Sequence, residues 1–271
     1  MKRTILILFC LLSSGCEGCM RRPPAESVDL GEWPACASAP REELLVAREL
    51  VSGPSALEKG VRERYSIAKH GECYVGRMHL SWRLGETALE IVWDEDFVPL
   101  AAYKRMGYPG QPDQFDERAY RMDERSAMVR RAPGELERFT FRGETRPLMV
   151  LPTGRGLFSA AFLRAKEHDL EVGESVRETT IDLRRLVERV ELGSVRRDPT
   201  RKHEFTEQPT ETYTYMGRDT MFTDERGFVI ADLAGLVPGD AEFVDPFEGV
   251  EPPVDAAKAF GELSALGRGE P

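Results

Sequence analysis

Cysteine and histidine are the side chains of this sequence that could form a catalytic pair. The chain has five cysteines and four histidines. Cys73 and His79 lie close together in the sequence, and a thiolate with a histidine within hydrogen-bond reach is a nucleophile. However, His79 stands on the polar side of an alternating segment, and Cys73 is better explained as half of a disulfide. We therefore predict no nucleophilic site at this pair.

Carboxylates and glycines provide no clearer catalytic pattern. The acidic runs at residues 94–96 and 224–225 could transfer protons, but such runs are typical of hairpin turns. The Gly-Arg-Gly segment at residues 154–156 is too short for a phosphate-binding loop and lacks its GK[ST] ending. The sequence also contains neither GxSxG nor HExxH. We predict no enzymatic activity, no cofactor and no metal site.

The N-terminal stretch carries the most specific signal in the chain. Lys2 and Arg3 precede an apolar run at residues 5–12, far shorter than the roughly 20 residues of a membrane span. Ser-Ser-Gly-Cys follows at residues 13–16 and resembles the lipobox of bacterial lipoproteins. The resemblance implies a signal peptide at residues 1–15 and acylation of Cys16. An ordinary secretory signal with an incidental cysteine is the alternative.

Lipidation would attach the protein to the cell envelope. Two or more acyl chains hold a protein stably on a bilayer, whereas one chain gives only marginal binding. In the lipoprotein family, the inner-membrane retention signal is usually an aspartate after the lipidated cysteine, and here that residue is Glu17. We therefore predict a lipid-anchored protein of the outer membrane that faces the periplasm.

The remaining cysteines predict one disulfide. Cys10 leaves with the signal peptide, so Cys19, Cys36 and Cys73 remain beside the anchor in a compartment that permits disulfides. We predict a bridge between Cys36 and Cys73, which leaves Cys19 unpaired in the tether. Cys16 and Cys19 have CxxC spacing, but no second ligand pair accompanies them, so we predict no zinc site.

The charge balance limits the classes of partner. The formal net charge is −10 at pH 7, and a general nucleic-acid-binding protein would be basic. An acidic chain is also not expected to adhere electrostatically to anionic lipid. The expected partners are therefore the membrane through the lipid anchor, a hydrophobic ligand or an envelope protein, and not a nucleic acid.

The hydrophobic pattern changes to a period of two from residue 64 onward. In residues 74–82 alternate side chains face opposite sides, as in a half-buried antiparallel strand. Similar segments recur along the chain, with a hairpin turn at residues 224–227. We predict a mainly β (α+β) fold, with an antiparallel, strongly curved sheet or half-barrel. A closed barrel or a sandwich would fit the same strands.

Two helices accompany these predicted strands. Residues 41–51 have the pattern of a short amphipathic N-terminal helix that ends at Gly53-Pro54, and residues 157–166 predict one internal helix. The acidic, proline-containing C-terminal segment is expected to be a loosely attached tail. The predicted organisation is a signal peptide, a lipidated tether, a short helix with its linker, a β-rich half-barrel-like domain and the tail (1–15, 16–40, 41–61, 62–237 and 238–271).

The order of these elements resembles an uncharacterised family of bacterial envelope proteins. The resemblance is carried by Gly-Leu-Phe-Ser-Ala-Ala-Phe-Leu-Arg at residues 156–164, followed by Leu-Glu-Val-Gly-Glu at residues 170–174. That family is similar to the lipoprotein-carrier half-barrels and their outer-membrane receptor. The resemblance implies a concave apolar face able to hold an acyl chain or another hydrophobic ligand.

A group of apolar side chains on one side of the first strands and on the internal helix would line this concavity. Its members are Tyr74, Met78, Leu80, Trp82, Leu89, Ile91, Trp93, Phe158 and Phe162. The alternative is that they fill a plain core. The first hypothesis is a non-enzymatic envelope lipoprotein that binds a hydrophobic ligand or a protein partner. The second is a structural or assembly component that acts by protein–protein contact.

Overall fold

The computed structural model describes most of the chain after residue 29. The described residues are 30–83, 85–108, 111–122, 126–131, 135–140, 146–184, 190–203, 205–206, 209–250 and 253–268. The predicted signal peptide, Cys16 and Cys19 lie outside them.

Fifteen strands and two helices are present in the described chain. The strands are β1 (Glu43–Ser52), β2 (Arg62–His70), β3 (Cys73–Trp82), β4 (Gly85–Asp94), β5 (Pro99–Tyr108), β6 (Gln111–Arg121), β7 (Ser126–Arg131), β8 (Glu135–Thr140), β9 (Met149–Leu151), β10 (Ser175–Asp182), β11 (Val190–Arg201), β12 (Thr210–Tyr215), β13 (Asp219–Thr223), β14 (Val229–Asp232) and β15 (Leu236–Pro238). The helices are α1 (Ser159–Glu167) and α2 (Ala256–Arg268), and short 3₁₀ turns lie at Ala35–Ser38 and Gly156–Phe158. Within the described residues, no helix is both long and apolar enough to span a membrane.

The strands form two sheets. Sheet A has nine strands in the order β15-β1-β2-β3-β4-β5-β6-β7-β8, and sheet B has six in the order β14-β13-β12-β11-β10-β9. All neighbours are antiparallel except β9 and β10, which are parallel. The predicted fold class, a mainly β fold with curved antiparallel sheets and an internal helix, is confirmed.

Helix α1 packs between the two sheets. The Phe162 ring stacks on Tyr213 of sheet B at a centroid distance of 5.0 Å, and the Phe158 ring meets the edge of Tyr215 at 5.6 Å. Both phenylalanines belong to the main hydrophobic core, together with Met78 of sheet A. The helix predicted at residues 157–166 is therefore present and fills the space between the sheets.

The predicted N-terminal helix at residues 41–51 is wrong, because this segment is strand β1. It pairs with β2 on one side and β15 on the other. A register shift between Leu44 and Val46 interrupts the β1–β2 pairing. Such a bulge inserts one residue and displaces the period-two alternation. The displaced apolar residues consequently match helical spacing when the sequence is considered alone.

The predicted loose C-terminal tail is also wrong, because α2 packs on the outer face of sheet A. Phe260 and Leu263 are fully buried beside Leu30 and Tyr103. The Trp33 ring meets Phe260 edge-on at a centroid distance of 5.1 Å. The end of the predicted tether and the tail thus cover the same apolar patch. Their attachment depends on contacts between distant segments, which the local sequence pattern does not show.

Substituting Gly261 in α2 tests this docking. A Cβ at Gly261 would have no heavy atom within 4 Å. Because alanine has a higher helix propensity than glycine, Gly261→Ala is expected to raise the free energy of unfolding by about 0.5–1 kcal/mol. Urea unfolding monitored by tryptophan fluorescence measures this change.

Gly217 provides the matched control. Its Cβ would also enter open space, but its φ is +67°, so Gly217→Ala is expected to destabilise the protein by about 1 kcal/mol. An unchanged unfolding free energy in Gly261→Ala would mean that α2 detaches before the sheets unfold.

Candidate functional site

The nine side chains predicted to line a concavity all lie in or against the main core. Six of them are at most 2% exposed: Met78, Leu89, Ile91, Trp93, Phe158 and Phe162. The other three, Tyr74, Leu80 and Trp82, are partly buried and pack against this cluster. The structure therefore brings the predicted residues together, and in the described chain they contact one another as a core. Their role in binding a ligand stays a prediction.

Gly76 shows how tightly this region is filled. It lies on β3 between Tyr74 and Met78, on the same face of the sheet. A Cβ at Gly76 would overlap the Trp93 ring and would lie 3.0 Å from a Leu157 methyl group. Since even one methyl group has no room here, the face of β3 offers no space for an acyl chain at this position.

A buried polar network lies beside the start of α1. The Glu63 carboxylate of β2 accepts hydrogen bonds from the backbone N–H groups of Arg155 at 2.7 Å and Gly156 at 2.6 Å. Burial raises the pKa of Glu63, while these N–H groups act in the opposite direction. A Cβ at Gly154 would lie 2.7 Å from the Glu63 carboxyl carbon. The Gly-Arg-Gly segment therefore encloses an anion that the protein itself supplies.

Arg155 extends this network into sheet B. Its guanidinium lies 3.0 Å from carboxylate oxygens of both Asp219 and Asp232. Arg184 in turn contacts Asp219 and Asp182, each at 3.1 Å. Burial also raises the pKa of Asp232. With Glu63 included, four carboxylates meet two arginines, and the network connects sheet A, the start of α1 and sheet B.

Most carboxylates of this network are buried where they connect the two sheets. Glu63, Asp182 and Asp232 are each at most 3% exposed, and two clefts beside the C-terminal segment at residues 239–250 and one beside Trp82 have none of the network residues in their walls. A catalytic acid–base pair needs a cleft where substrate reaches its polar groups. The raised pKa values of Glu63 and Asp232 should make the free energy of unfolding depend on pH.

Glu63→Gln tests that dependence. Because the folded-state pKa of Glu63 lies above its usual value of 4.5, its protonated form favours folding. That contribution is fully present below pH 4.5 and is lost as the pH rises through the raised pKa. The uncharged glutamine does not titrate. The difference in unfolding free energy, wild type minus variant, is therefore expected to fall with rising pH, by about 1.4 kcal/mol per unit of pKa shift.

Urea unfolding between pH 4 and pH 8 measures this difference. Replacing the exposed Glu225 of the β13–β14 turn by glutamine is the matched control, and its difference from wild type should vary less with pH. If the difference in unfolding free energy between wild type and Glu63→Gln stayed constant from pH 4 to pH 8, it would contradict a raised pKa of Glu63 in the folded protein.

Cys73, the cysteine that lies near His79 in the sequence, forms a disulfide. Cys36 and Cys73, the predicted disulfide partners, are bonded to each other, with their Cα atoms 6.0 Å apart. Cys73 is therefore not a free thiol that His79 could activate. The Nε2 atom of His79 lies 3.7 Å from a Glu86 oxygen, and burial lowers the pKa of His79. Among the described residues, no cluster of histidine, cysteine and acidic side chains could hold a metal ion.

The C-terminal strap, residues 239–250, crosses the outer face of sheet A. The Gly239 N–H donates to the Glu49 carbonyl at 2.8 Å. Asp245 forms an ion pair with Arg77 of β3 at 3.3 Å, and the same guanidinium lies 6.0 Å from the centre of the Phe247 ring. These contacts hold the strap on β1–β3, and Val244 lines clefts of about 300 and 550 Å³ beside it.

The smaller of these clefts, named here the strap cleft, combines polar and apolar walls. Its lining residues are Arg41, Leu44, Ser66, Ala68, His70, Val75, Arg77 and Val244. They come from the segment just before β1 and the start of β1, from β2 and β3, and from the strap. No acidic side chain is among these described residues, although the chain as a whole is acidic.

Comparison with known proteins identifies no family for this chain. No protein-family model and no curated protein matches the sequence. Among solved structures, a DUF1089 family protein from Pseudomonas aeruginosa has a TM-score of 0.40 and 12% identity, and the match covers 65% of this chain and 91% of that one. A β-barrel-like protein of domain of unknown function DUF1849 from Brucella abortus has a TM-score of 0.37 and 9% identity, covering 70% and 85%. Neither similarity carries an argument about function.

Sequence reasoning missed both the buried network and the strap cleft. Glu63 and Arg155 are far apart in the sequence, and nothing near either residue marks the other as its partner. The strap cleft is built from β1, which was predicted as a helix, and from a segment predicted as a loose tail. The one available signal was the polar side of residues 74–82, where Val75 and Arg77 alternate with the core residues.

Proposed function

We propose that this protein is a lipid-anchored, non-enzymatic component of the cell envelope that binds its partner through the outer face of sheet A. One observation carries the proposal. The face of β3 that would hold an interior ligand is occupied by Trp93 and Leu157, whereas clefts open on the opposite face beside the C-terminal strap. This arrangement favours a structural or assembly role by surface contact, and it disfavours a role as a carrier that holds a ligand in its interior.

The attachment of the N-terminal segment limits the distance between the folded body and a lipid anchor. Leu30 is fully buried against α2, and the Ser264 hydroxyl donates to the Gly31 carbonyl at 3.1 Å. Lipidation at Cys16 would leave fourteen residue steps to Leu30. An extended chain spans at most about 3.6 Å per residue, so the body would remain within about 50 Å of the bilayer.

Cys16→Ser tests the anchor. In a bacterial host that processes lipoproteins, the wild-type protein is expected in the membrane fraction, because its acyl chains partition into the bilayer. The serine variant is expected in the soluble fraction, and Cys19→Ser, the matched control, should stay with the membrane. Equal membrane recovery of wild type and Cys16→Ser would contradict lipid anchoring.

Native mass spectrometry tests the surface mode of binding. A chain that begins at Glu17 keeps every described residue and lacks the lipid. When it is expressed in a periplasm and purified without detergent, its native and denatured masses are expected to agree. Excess native mass that extracts into organic solvent as lipid would instead support an interior carrier and contradict surface binding.

A further inference from the structure

The strap cleft has the charge pattern of an anion-binding site. Arg41 and Arg77 both line it, and none of its described lining residues is acidic. The two arginines differ in their surroundings. Arg77 contacts Glu90 at 2.7 Å and Asp245 at 3.3 Å, so its charge is already compensated. Arg41 is exposed and makes no side-chain hydrogen bond or ion pair with the described chain. The cleft therefore offers one uncompensated positive charge, which matches a monoanion.

Two largely buried polar side chains line the cleft, and the Ser66 hydroxyl is the one that can donate to an anion. Ser66 is only 5% exposed, lines the cleft, and its hydroxyl has no hydrogen-bond partner among the described residues. His70 is 8% exposed, and its Nδ1 lies 2.8 Å from the Ala39 carbonyl oxygen. Because a carbonyl oxygen only accepts, Nδ1 carries the proton, and in the neutral imidazole Nε2 is then an acceptor that cannot donate to an anion. The Ser66 hydroxyl is not one of the buried, unsatisfied polar atoms of the described chain, so it is open to water in the cleft and can donate to a ligand bound there.

The remaining walls of the cleft are apolar. Ala68 of β2 and Val75 of β3 line it as buried residues, while Leu44 and Val244 line it and are 38% and 55% exposed. A bound apolar group would cover part of this exposed surface, which is favourable in proportion to the area removed from water. The volume of about 300 Å³ lies at the small end of ligand-binding pockets.

We propose that the strap cleft binds a carboxylate attached to a short apolar group. The carboxylate lies beside Arg41 within reach of the Ser66 hydroxyl, and the apolar group lies against Ala68, Val75 and Val244. A free short-chain acid and the apolar C-terminal residue of a polypeptide both present this chemistry. The inference deepens the proposed surface-binding function and rests on it.

Octanoate and its uncharged analogue octanamide test the proposal. The chain that begins at Glu17 is titrated with each compound and followed by amide NMR. Octanoate is expected to shift the Ala68 and Val244 signals, with octanamide binding at least about tenfold more weakly. Arg41→Gln is expected to lower the affinity for octanoate by a similar factor, because hydrogen bonds between charged groups are stronger than those between neutral groups. Ser66→Ala is expected to lower the affinity for octanoate less than Arg41→Gln does.

Arg218→Gln is the matched control. Arg218 is exposed on the turn between β12 and β13, and its substitution removes the same charge far from the strap, so octanoate affinity should be unchanged. An acetylated Ala-Ala-Ala-Leu peptide, as its free acid and as its amide, separates the two sources. Tighter binding of the peptide acid than of octanoate assigns the site to a polypeptide C-terminus, and the reverse order assigns it to a free acid.

Two results would overturn the inference in distinguishable ways. Unchanged Ala68 and Val244 signals, or equal weakening by Arg41→Gln and Arg218→Gln, would remove the carboxylate site and leave the proposed function standing. Octanoate-induced shifts at Met78 and Leu89, together with lipid in the purified protein, would instead place binding in the interior and overturn both proposals.

Discussion

Removing the Cys36–Cys73 disulfide by the double substitution Cys36→Ala and Cys73→Ala is expected to lower the free energy of unfolding by about 4 kcal/mol. The two cysteines are separated by 37 positions, and cross-linking a loop of this length removes a large conformational entropy from the unfolded chain. The disulfide also attaches the 3₁₀ turn Ala35–Ser38 to β3, close to the strap cleft. Loss of the disulfide should therefore lower the global stability and also loosen the attachment of the Ala35–Ser38 turn to β3.

Urea unfolding of the oxidised wild type and the double variant measures the effect. The unfolding transition should be followed by two signals and the midpoints compared: tryptophan fluorescence, to which Trp33 and Trp93 contribute, and far-ultraviolet circular dichroism. Cys19→Ala is the matched control, because it removes a cysteine that has no predicted partner, and its unfolding free energy is expected to equal that of wild type. A double variant as stable as wild type would show that the cross-link adds nothing to the sheet contacts.

Gly156→Ala is expected to destabilise the protein by about 2–4 kcal/mol. The added Cβ would overlap the ring of Tyr65. Tyr65 is fully buried, and its hydroxyl donates to the Val229 carbonyl at 2.6 Å, so the ring cannot withdraw without losing a buried hydrogen bond. Moving the backbone instead would break the bond from the Gly156 N–H to Glu63. Overpacking of this kind typically costs 1–3 kcal/mol, and the lost hydrogen bond adds about 1 kcal/mol or more.

The same alanine substitution at Gly261 is the comparison for Gly156→Ala, since there the added methyl group meets open space. The two variants are expected to change the unfolding free energy in opposite directions, as measured by urea unfolding at pH 7. A Gly156→Ala variant within 0.5 kcal/mol of wild type would mean that the start of α1 can move away from Tyr65 at little cost. The network from Glu63 to Asp232 would then not hold the two sheets together.

The spacing of apolar residues was sufficient to predict those elements whose residues depend mainly on their neighbours in the sequence. Alternation in residues 74–82 predicted β3, and the register that places Met78 opposite Leu89 follows from the same apolar face in β4. The internal helix was equally readable from its apolar run. The Cys36–Cys73 pair was predictable because few cysteines remained to combine.

Periodicity is a property of adjacent residues, and it was therefore enough to predict the mainly β fold class, the internal helix and the apolar face of the first strands. The strand at residues 43–52 and the docking of α2 beside Leu30 emerge only in the folded chain. The same holds for the position of α1 between the sheets and for the contact of Glu63 with Arg155. Each of these outcomes depends on pairing and packing between segments far apart in the chain. The strap cleft has the same origin, since its walls come from three strands and a C-terminal segment that only folding brings together.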